Sequence, residues 1–359
     1  MTDTSPSKRP QWTRRGIITA TGVGVASTLG TFAAAPAASA GAGGAPSNTD
    51  RRFVDAVLAA FAQHRLVAIG EIHGQQEHHD ALQMLLADPR LPQVVDDIVV
   101  EFGNALYQPT VDRFVAGAAV ENEDLRLVWR NTTQSPVATL DAPVYEQFYR
   151  SVRALNWPLP AEQQIRVLLG DPPIDWPRVT TLEEAMAVGD DRDGHLASVI
   201  KREVLDKGRR ALICYGSVHV MHAPPGAAGG GGIAQIEAQT GLRSYVILAG
   251  GHPRLLSSPR RAVIPAKGTW LQSAETTEFQ YLPGFCGVRF GDVADALLYL
   301  GQTGEQTQSL WNPAIYLDEA YWAELQRRKA ILDIPIDLEA QYRQPRSVRW
   351  PTIPPEDCA

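Results

Sequence analysis

The feature that most constrains how this chain folds is a series of short, near-continuous apolar runs set between stretches of helical pattern. Leu66-Val67-Ala68-Ile69, Asp97-Ile98-Val99-Val100, Ile165-Arg166-Val167-Leu168-Leu169, Ala211-Leu212-Ile213-Cys214-Tyr215 and Tyr245-Val246-Ile247-Leu248 are such runs, and Ala296-Leu297-Leu298-Tyr299-Leu300 is a sixth candidate. A strand with one wet face alternates apolar and polar residues, whereas a run apolar throughout must be covered on both faces. The expected fold class is therefore α/β: a mostly parallel sheet flanked by helices, with a helical insertion over 104–164 acting as a lid. That insertion carries Tyr107, Phe114, Trp129, Tyr145, Phe148, Tyr149 and Trp157, an aromatic set that reads as lid core.

The residues just past each run carry the chemistry. The first run leads into Gly70-Glu71-Ile72-His73, the second into Glu101, the third into Gly170-Asp171 and the fourth into Gly216-Ser217-Val218-His219. In an open parallel sheet all these positions lie at the carboxyl ends of the strands, the edge where ligands bind. Four strands are thus expected to deliver Glu71, His73, Glu101, Asp171 and His219 to one crevice. Any one such residue alone reads equally as a loop residue or helix cap; four strand ends in succession point to a site. A helix expected over 75–87 opens at the same edge, so His78 is a candidate substrate contact, with His79 beside it. Arg192 is a candidate anion clamp by its fixed fork of donors, or a surface partner of Asp193, and Asp171 is a further candidate substrate contact.

Two imidazoles and two carboxylates suit hydrolysis by acid–base catalysis, one group taking a proton from water while another protonates the leaving group, each contributing about 10²–10⁴-fold. His73 and Glu101 are the expected catalytic pair, with His219 beside them and Glu71 orienting an imidazole. If a divalent metal is present, His73, Glu101 and His219 form a three-ligand open site suited to Zn, Mn, Co or Fe. The sequence has no H-E-x-x-H helix, no G-x-S-x-G elbow and no C-x-x-C-H haem attachment. The run Pro224 to Gly232 ends in four consecutive glycines and lacks a phosphate-cradling pattern; it reads as a mobile flap beside the site.

Composition bounds the remaining classes. With 44% apolar and 20% charged residues the chain is globular, and a net charge of −7 gives no footprint for a nucleic-acid partner. Three cysteines make no disulfide framework, and Cys214 inside an apolar run reads as a buried free thiol. Trp12-Thr13-Arg14-Arg15-Gly16-Ile17-Ile18, then a mildly apolar uncharged stretch ending Ala38-Ser39-Ala40, is the pattern of a twin-arginine export signal cleaved before Gly41. The expected organisation is a signal peptide over 1–40, a flexible linker over 41–52, an α/β domain over 53–301 and a helical, irregular tail over 302–359. The expected partners are the twin-arginine export machinery and a small-molecule or peptide substrate. The expected location is the cell envelope or the outside, with no membrane span in the mature chain.

The motifs at 70–73, 99–101, 192–193 and 216–219 together resemble the ChaN-like haem-binding uptake and Tiki superfamily, with the erythromycin esterase-like proteins as relatives. The resemblance spans roughly residues 55–250. It implies, for erythromycin esterase-like members, a His and a Glu that activate water against a lactone ester, mapping onto His73 and Glu101. For Tiki-like and TraB-like members, with paired G-x-x-H motifs as at 70–73 and 216–219, it implies metal-dependent peptidase activity. For ChaN-like members, with the same Glu-x-His spacing, it implies haem or small-ligand binding without catalysis; no haem ligand is carried over.

Overall fold

In a computed structural model the described residues are 48–342, apart from 137–140, 228, 281, 283, 303–304, 310–314 and 316. The expected export signal lies outside them, as do part of the expected linker and the end of the tail. The first helix, α1 (Asn48–Ala60), starts inside the segment expected to be a linker and buries Phe53, Val54 and Val57. Next come β1 (Leu66–Glu71), α2 (Gln76–Leu86) and β2 (Asp97–Asn104). The insertion is helical, comprising α3 (Gln108–Val115), α4 (Asn122–Arg130) and α5 (Pro143–Asn156). After it lie β3 (Arg166–Asp171), α6 (Leu182–Gly189), and α7 (Arg192–Val199), which continues as a π-turn over Ile200–Leu205. The chain then forms β4 (Ala211–Gly216), α8 (Gly232–Thr240), β5 (Tyr245–Gly250), β6 (Ala262–Pro265) and β7 (Ala296–Tyr299), and ends in α9 (Glu319–Leu332) and α10 (Leu338–Tyr342).

All six expected strands are present, in one seven-stranded sheet ordered β3-β2-β4-β1-β5-β7-β6. Every pairing is parallel except β6 on β7. The added strand, β6, is four residues long and closes on Pro265, which a central strand does not tolerate and an edge strand does. β4, fourth in sequence among the strands, threads between β1 and β2, with Glu71 level with Gly216 and Val100 level with Cys214. That crossover gathers the ends of β1, β2 and β4 side by side.

The apolar runs are explained by two separate cores. Val67, Ile69, Val100, Phe102, Leu212 and Cys214 point into one, shared with α1, α2 and the insertion helices. Their alternates Leu66, Ala68, Val99, Ala211, Ile213 and Tyr215 point into the other, shared with α7, α8 and the 255–294 segment. Successive side chains on a strand point to opposite faces, so cover on both faces makes every position apolar. At roughly 1.5–3 kcal/mol for each fully buried large aliphatic side chain, this double cover is the dominant favourable term holding the sheet.

The insertion belongs to the first of these layers: Phe114, Trp129, Phe148 and Tyr149 are core residues as expected, whereas Trp157 is 76% exposed. Among the described residues no helix is long and apolar enough to cross a membrane. Cys214 is a buried free thiol, and Cys286 is disulfide-bonded.

Candidate active site at the strand ends

Side-chain alternation decides which way each carboxylate faces. Glu71 shares the parity of Val67 and Ile69 and turns toward α2 and α5, while Glu101 shares that of Val99 and turns toward α7. His73, two residues past the end of β1, bridges the two sides. Its Nδ1 lies 3.6 Å from Glu71 Oε2 and its Nε2 3.6 Å from Glu101 Oε2. From the other side His219, on the short helix Ser217–Val220 after β4, places Nε2 3.6 Å from Glu101 Oε1. Its Nδ1 is held by Asp193 Oδ1 at 2.8 Å.

Glu101 is wholly buried and is the hub of the cluster. Arg192 Nη2 and Gln134 Nε2 (2.8 Å) donate to Oε1, and the Gly216 N–H donates to Oε2 at 2.5 Å. Burial opposes its negative charge, but His73, Arg192 and His219 outweigh that and hold its pKa below the usual carboxylate range. The same pairing acts on His73: burial disfavours the imidazolium, yet Glu101 and then Glu71 raise its pKa to about 10. The two carboxylates thus favour the imidazolium form of His73.

Glu71 is the anchor on the other side. Its Oε1 accepts from Tyr145 Oη at 2.7 Å and from His79 Nε2 at 3.0 Å. Burial again opposes charge, but His79 and His73 keep its pKa well below the ordinary value. Asp171 is also fully buried, and burial raises its pKa to about 7 against the pull of Arg192 and of two donors from Thr133. Those donors are Thr133 N at 2.7 Å and Thr133 Oγ1 at 2.5 Å, with Arg192 Nε 3.7 Å away.

The structure thus brings Glu71, His73, Glu101, Asp171, Arg192 and His219 into one network. Side chains of His73, Arg192 and His219 remain 18%, 16% and 12% exposed while those of Glu101 and Asp171 are fully covered, so a substrate meets the two imidazoles and the guanidinium first. Arg192 makes no surface pair with Asp193: it reaches inward to Glu101 and Asp171, and Asp193 takes His219 and the Gly232 N–H (2.7 Å) instead. His78 lies apart from the network. It is fully buried, neither ring nitrogen has a hydrogen-bond partner, and burial drives its pKa down to about 3; its neighbour His79 makes the contact to Glu71.

The glycine run expected as a flap is, at its end, a packing joint. A Cβ on Gly231 would lie 2.5 Å from the His219 carbonyl oxygen, and one on Gly232 would meet Leu196 at 2.6 Å. Glycine is required there because α8 starts against the backbone of a site residue.

The donor set does not fit the metal site expected of His73, Glu101 and His219. A carboxylate ligand must offer lone pairs to the cation, and Glu101 already accepts from Arg192, Gln134 and Gly216, three of a carboxylate's roughly four positions. A guanidinium bonded to the same oxygen adds a repelling charge. Among the described residues no group of three or more His, Cys, Asp or Glu side chains is arranged to hold a metal ion.

Asp193, Gln134, Thr133, Tyr145 and His79 complete the network, and sequence pattern alone does not assign them to it. Asp193 carries a signal as the acidic neighbour of Arg192. Gln134 and Thr133 carry none, lying in a polar stretch between two helices of the insertion.

The sequence matches no protein-family model and no curated protein. Among solved structures, a succinoglycan biosynthesis protein is similar over 72% of this chain and 98% of its own, at 6% identity and a TM-score of 0.47. The type III effector HopBA1 is similar over 70% of this chain and 94% of its own, at 13% identity and a TM-score of 0.38. ChaN of Campylobacter jejuni, described for cofacial haem binding, is similar over 54% of this chain and 84% of its own, at 12% identity and a TM-score of 0.32. The likeness is shallow, at the level of the fold, and does not single out a family.

Proposed function

We propose that the chain is an exported hydrolase of ester or amide bonds, acting by acid–base catalysis at the His73–Glu101–His219 site. One observation carries the reading: two partly exposed imidazoles converge on a single buried carboxylate, each at 3.6 Å. With three donors already on its carboxylate, Glu101 serves as the charge that holds the His73 imidazolium and the Arg192 guanidinium in place. His219, with Nδ1–H directed to Asp193, presents Nε2 as the base that takes a proton from water. His73, held as imidazolium, donates to the leaving group, and Arg192 beside it steadies the oxyanion as the tetrahedral centre forms. The resemblance to esterase-like and peptidase-like members of the ChaN/Tiki group fits this reading. The disulfide at Cys286 fits export, since such bonds persist in oxidising compartments.

The test is a panel of aryl esters and aryl amides with the purified protein, before and after dialysis against EDTA, beside His73→Ala and Glu101→Gln. Wild-type turnover that survives dialysis, with each variant down by about 10²–10⁴-fold, is the expected outcome. Near-wild-type activity in either variant would refute the assignment, and activity lost to EDTA and restored by Zn or Mn would return the site to a metal mechanism.

A further inference from the structure

Helix α9, in the tail, lies outside the sheet and its two covering layers, yet it carries Arg328, a guanidinium only 2% exposed. Arg328 Nη1 donates to the Arg130 carbonyl at 2.9 Å and to Ser135 Oγ at 2.8 Å, and its Nη2 to Asn131 Oδ1 at 2.7 Å. Nε is tied to Glu324 Oε1 at 2.8 Å, and the planar head lies over the Trp176 ring, 4.8 Å from its centroid. Trp176 in turn donates Nε1–H to the Thr132 carbonyl at 3.0 Å, and Asn104 at the end of β2 donates to the Asn131 carbonyl at 2.7 Å.

Apart from the tie to Glu324, every one of these bonds ends on one short stretch, 130–135. The other side of that stretch faces the site: Thr133 donates twice to Asp171 and Gln134 donates to Glu101. Beyond Arg130, the last residue of α4, the stretch has no regular ladder of its own, so its position is set by what grips it from behind. We propose that Arg328 is a positioning residue for the candidate active site, fixing the 130–135 segment so that Thr133 and Gln134 hold Asp171 and Glu101 in place. The functional half of this statement rests on the hydrolase reading; the structural half does not. The tail thereby becomes part of the catalytic unit. A lysine at 328 keeps the charge but presents no planar fork to the Arg130 carbonyl, Ser135 and Asn131 together.

Hydrogen exchange at the Thr133 amide of the full chain reads the grip directly, because that N–H is bonded to Asp171. The variants are Arg328→Met and Arg328→Lys, the second covering the case in which the first fails to fold. Arg327→Met is the comparison, since Arg327 bonds the carbonyls of Trp176 and Val179 and shares the Glu324 carboxylate with Arg328, but makes no bond of its own to 130–135. The expected result is exchange at Thr133 faster by about 10-fold or more in the Arg328 variants but not in Arg327→Met, with amides of β2 and β4 unchanged. On an aryl ester the Arg328 variants are expected to lose on the order of 10- to 100-fold in kcat, with KM little altered. Unchanged Thr133 exchange in both Arg328 variants, or equal acceleration in Arg327→Met, would overturn the proposal. Faster exchange with unchanged kcat would remove the catalytic role. A wild-type protein without activity on any ester or amide would sink the hydrolase reading alone, leaving the exchange result to decide the structural claim.

Discussion

At Gly216 a side chain would crowd the site. A Cβ there would sit 3.0 Å from Glu101 Oε2 and 3.4 Å from both His73 Nε2 and His219 Cδ2, at the point where the three groups converge. Its φ of −54° is open to any residue, so the demand is for space and not for backbone freedom. Gly216→Ala is therefore expected to fold with stability changed by no more than about 1 kcal/mol, yet to lose about 10-fold or more in turnover. Thermal unfolding and the ester assay on the same sample check both parts. Asp193 makes a second demand at this scale. Its carboxylate fixes the His219 tautomer through the 2.8 Å bond to Nδ1, so Asp193→Asn is expected to lower kcat on the order of 10- to 100-fold, while a change in KM alone would refute the role. Glu71, Glu101, Asp171 and His219 are legible in the sequence because strand order alone puts them on one edge. Asp193, Thr133, Gln134 and Tyr145 are not, because their places depend on how separate helices dock, which no local pattern encodes.

At the scale of elements, the turn after β4, helix α8 and the start of β7 meet on one buried imidazole. His222 Nδ1 lies 3.1 Å from both carboxylate oxygens of Glu237 on α8, and Nε2 lies 2.9 Å from Asp295 Oδ2, just before β7. Glu237 also accepts from the Ser244 N–H and Asp295 from the Val246 N–H, so the two carboxylates secure the entry to β5 as well. Burial disfavours the imidazolium, but Asp295 and Glu237 override it and raise the His222 pKa above its ordinary value. The two carboxylates, whose burial is outweighed by His222, have lowered pKa values. A group raised on folding contributes its stability fully below its unfolded pKa, about 6.5 for His, and loses it as pH rises through the higher folded value. The carboxylates contribute above their unfolded values, about 4, and lose that contribution as pH falls through the lower folded ones. The cluster is thus most stabilising between about pH 4 and 6.5. His222→Gln is expected to lower Tm measurably at pH 6 and by distinctly less at pH 9, at roughly 2 °C or less per kcal/mol for a chain longer than 250 residues. Equal losses at the two pH values would show that the imidazole is held neutral.

At the scale of the molecule, the sequence is most informative where burial is two-sided. Six apolar runs became six strands because no other cover satisfies them, whereas β6, four residues at an exposed edge, left no such mark. The start of α1 at Asn48 and the grip of α9 on 130–135 are equally hidden, since both depend on docking across the fold. The export signal read at Arg14-Arg15 and the chemistry of the cysteines bear on one another. Cys214 is buried in the sheet as a free thiol whose pKa burial pushes up, so it is inert to disulfide exchange in the native state. Cys286 is disulfide-bonded, and under the export reading such a bond persists in the mature protein. The protein recovered from outside the cytoplasm is therefore expected to begin at Gly41 by intact mass. In denaturant it should show fewer reactive thiols before reduction than after, when all three cysteines of the chain react. Replacing Arg14 and Arg15 together with lysine should leave it in the cytoplasm with the leader attached and, kept under reducing conditions, three thiols from the outset. Export undiminished by that change, or three thiols in the exported form, would contradict the reading, because the leader and the disulfide would no longer point to the same compartment.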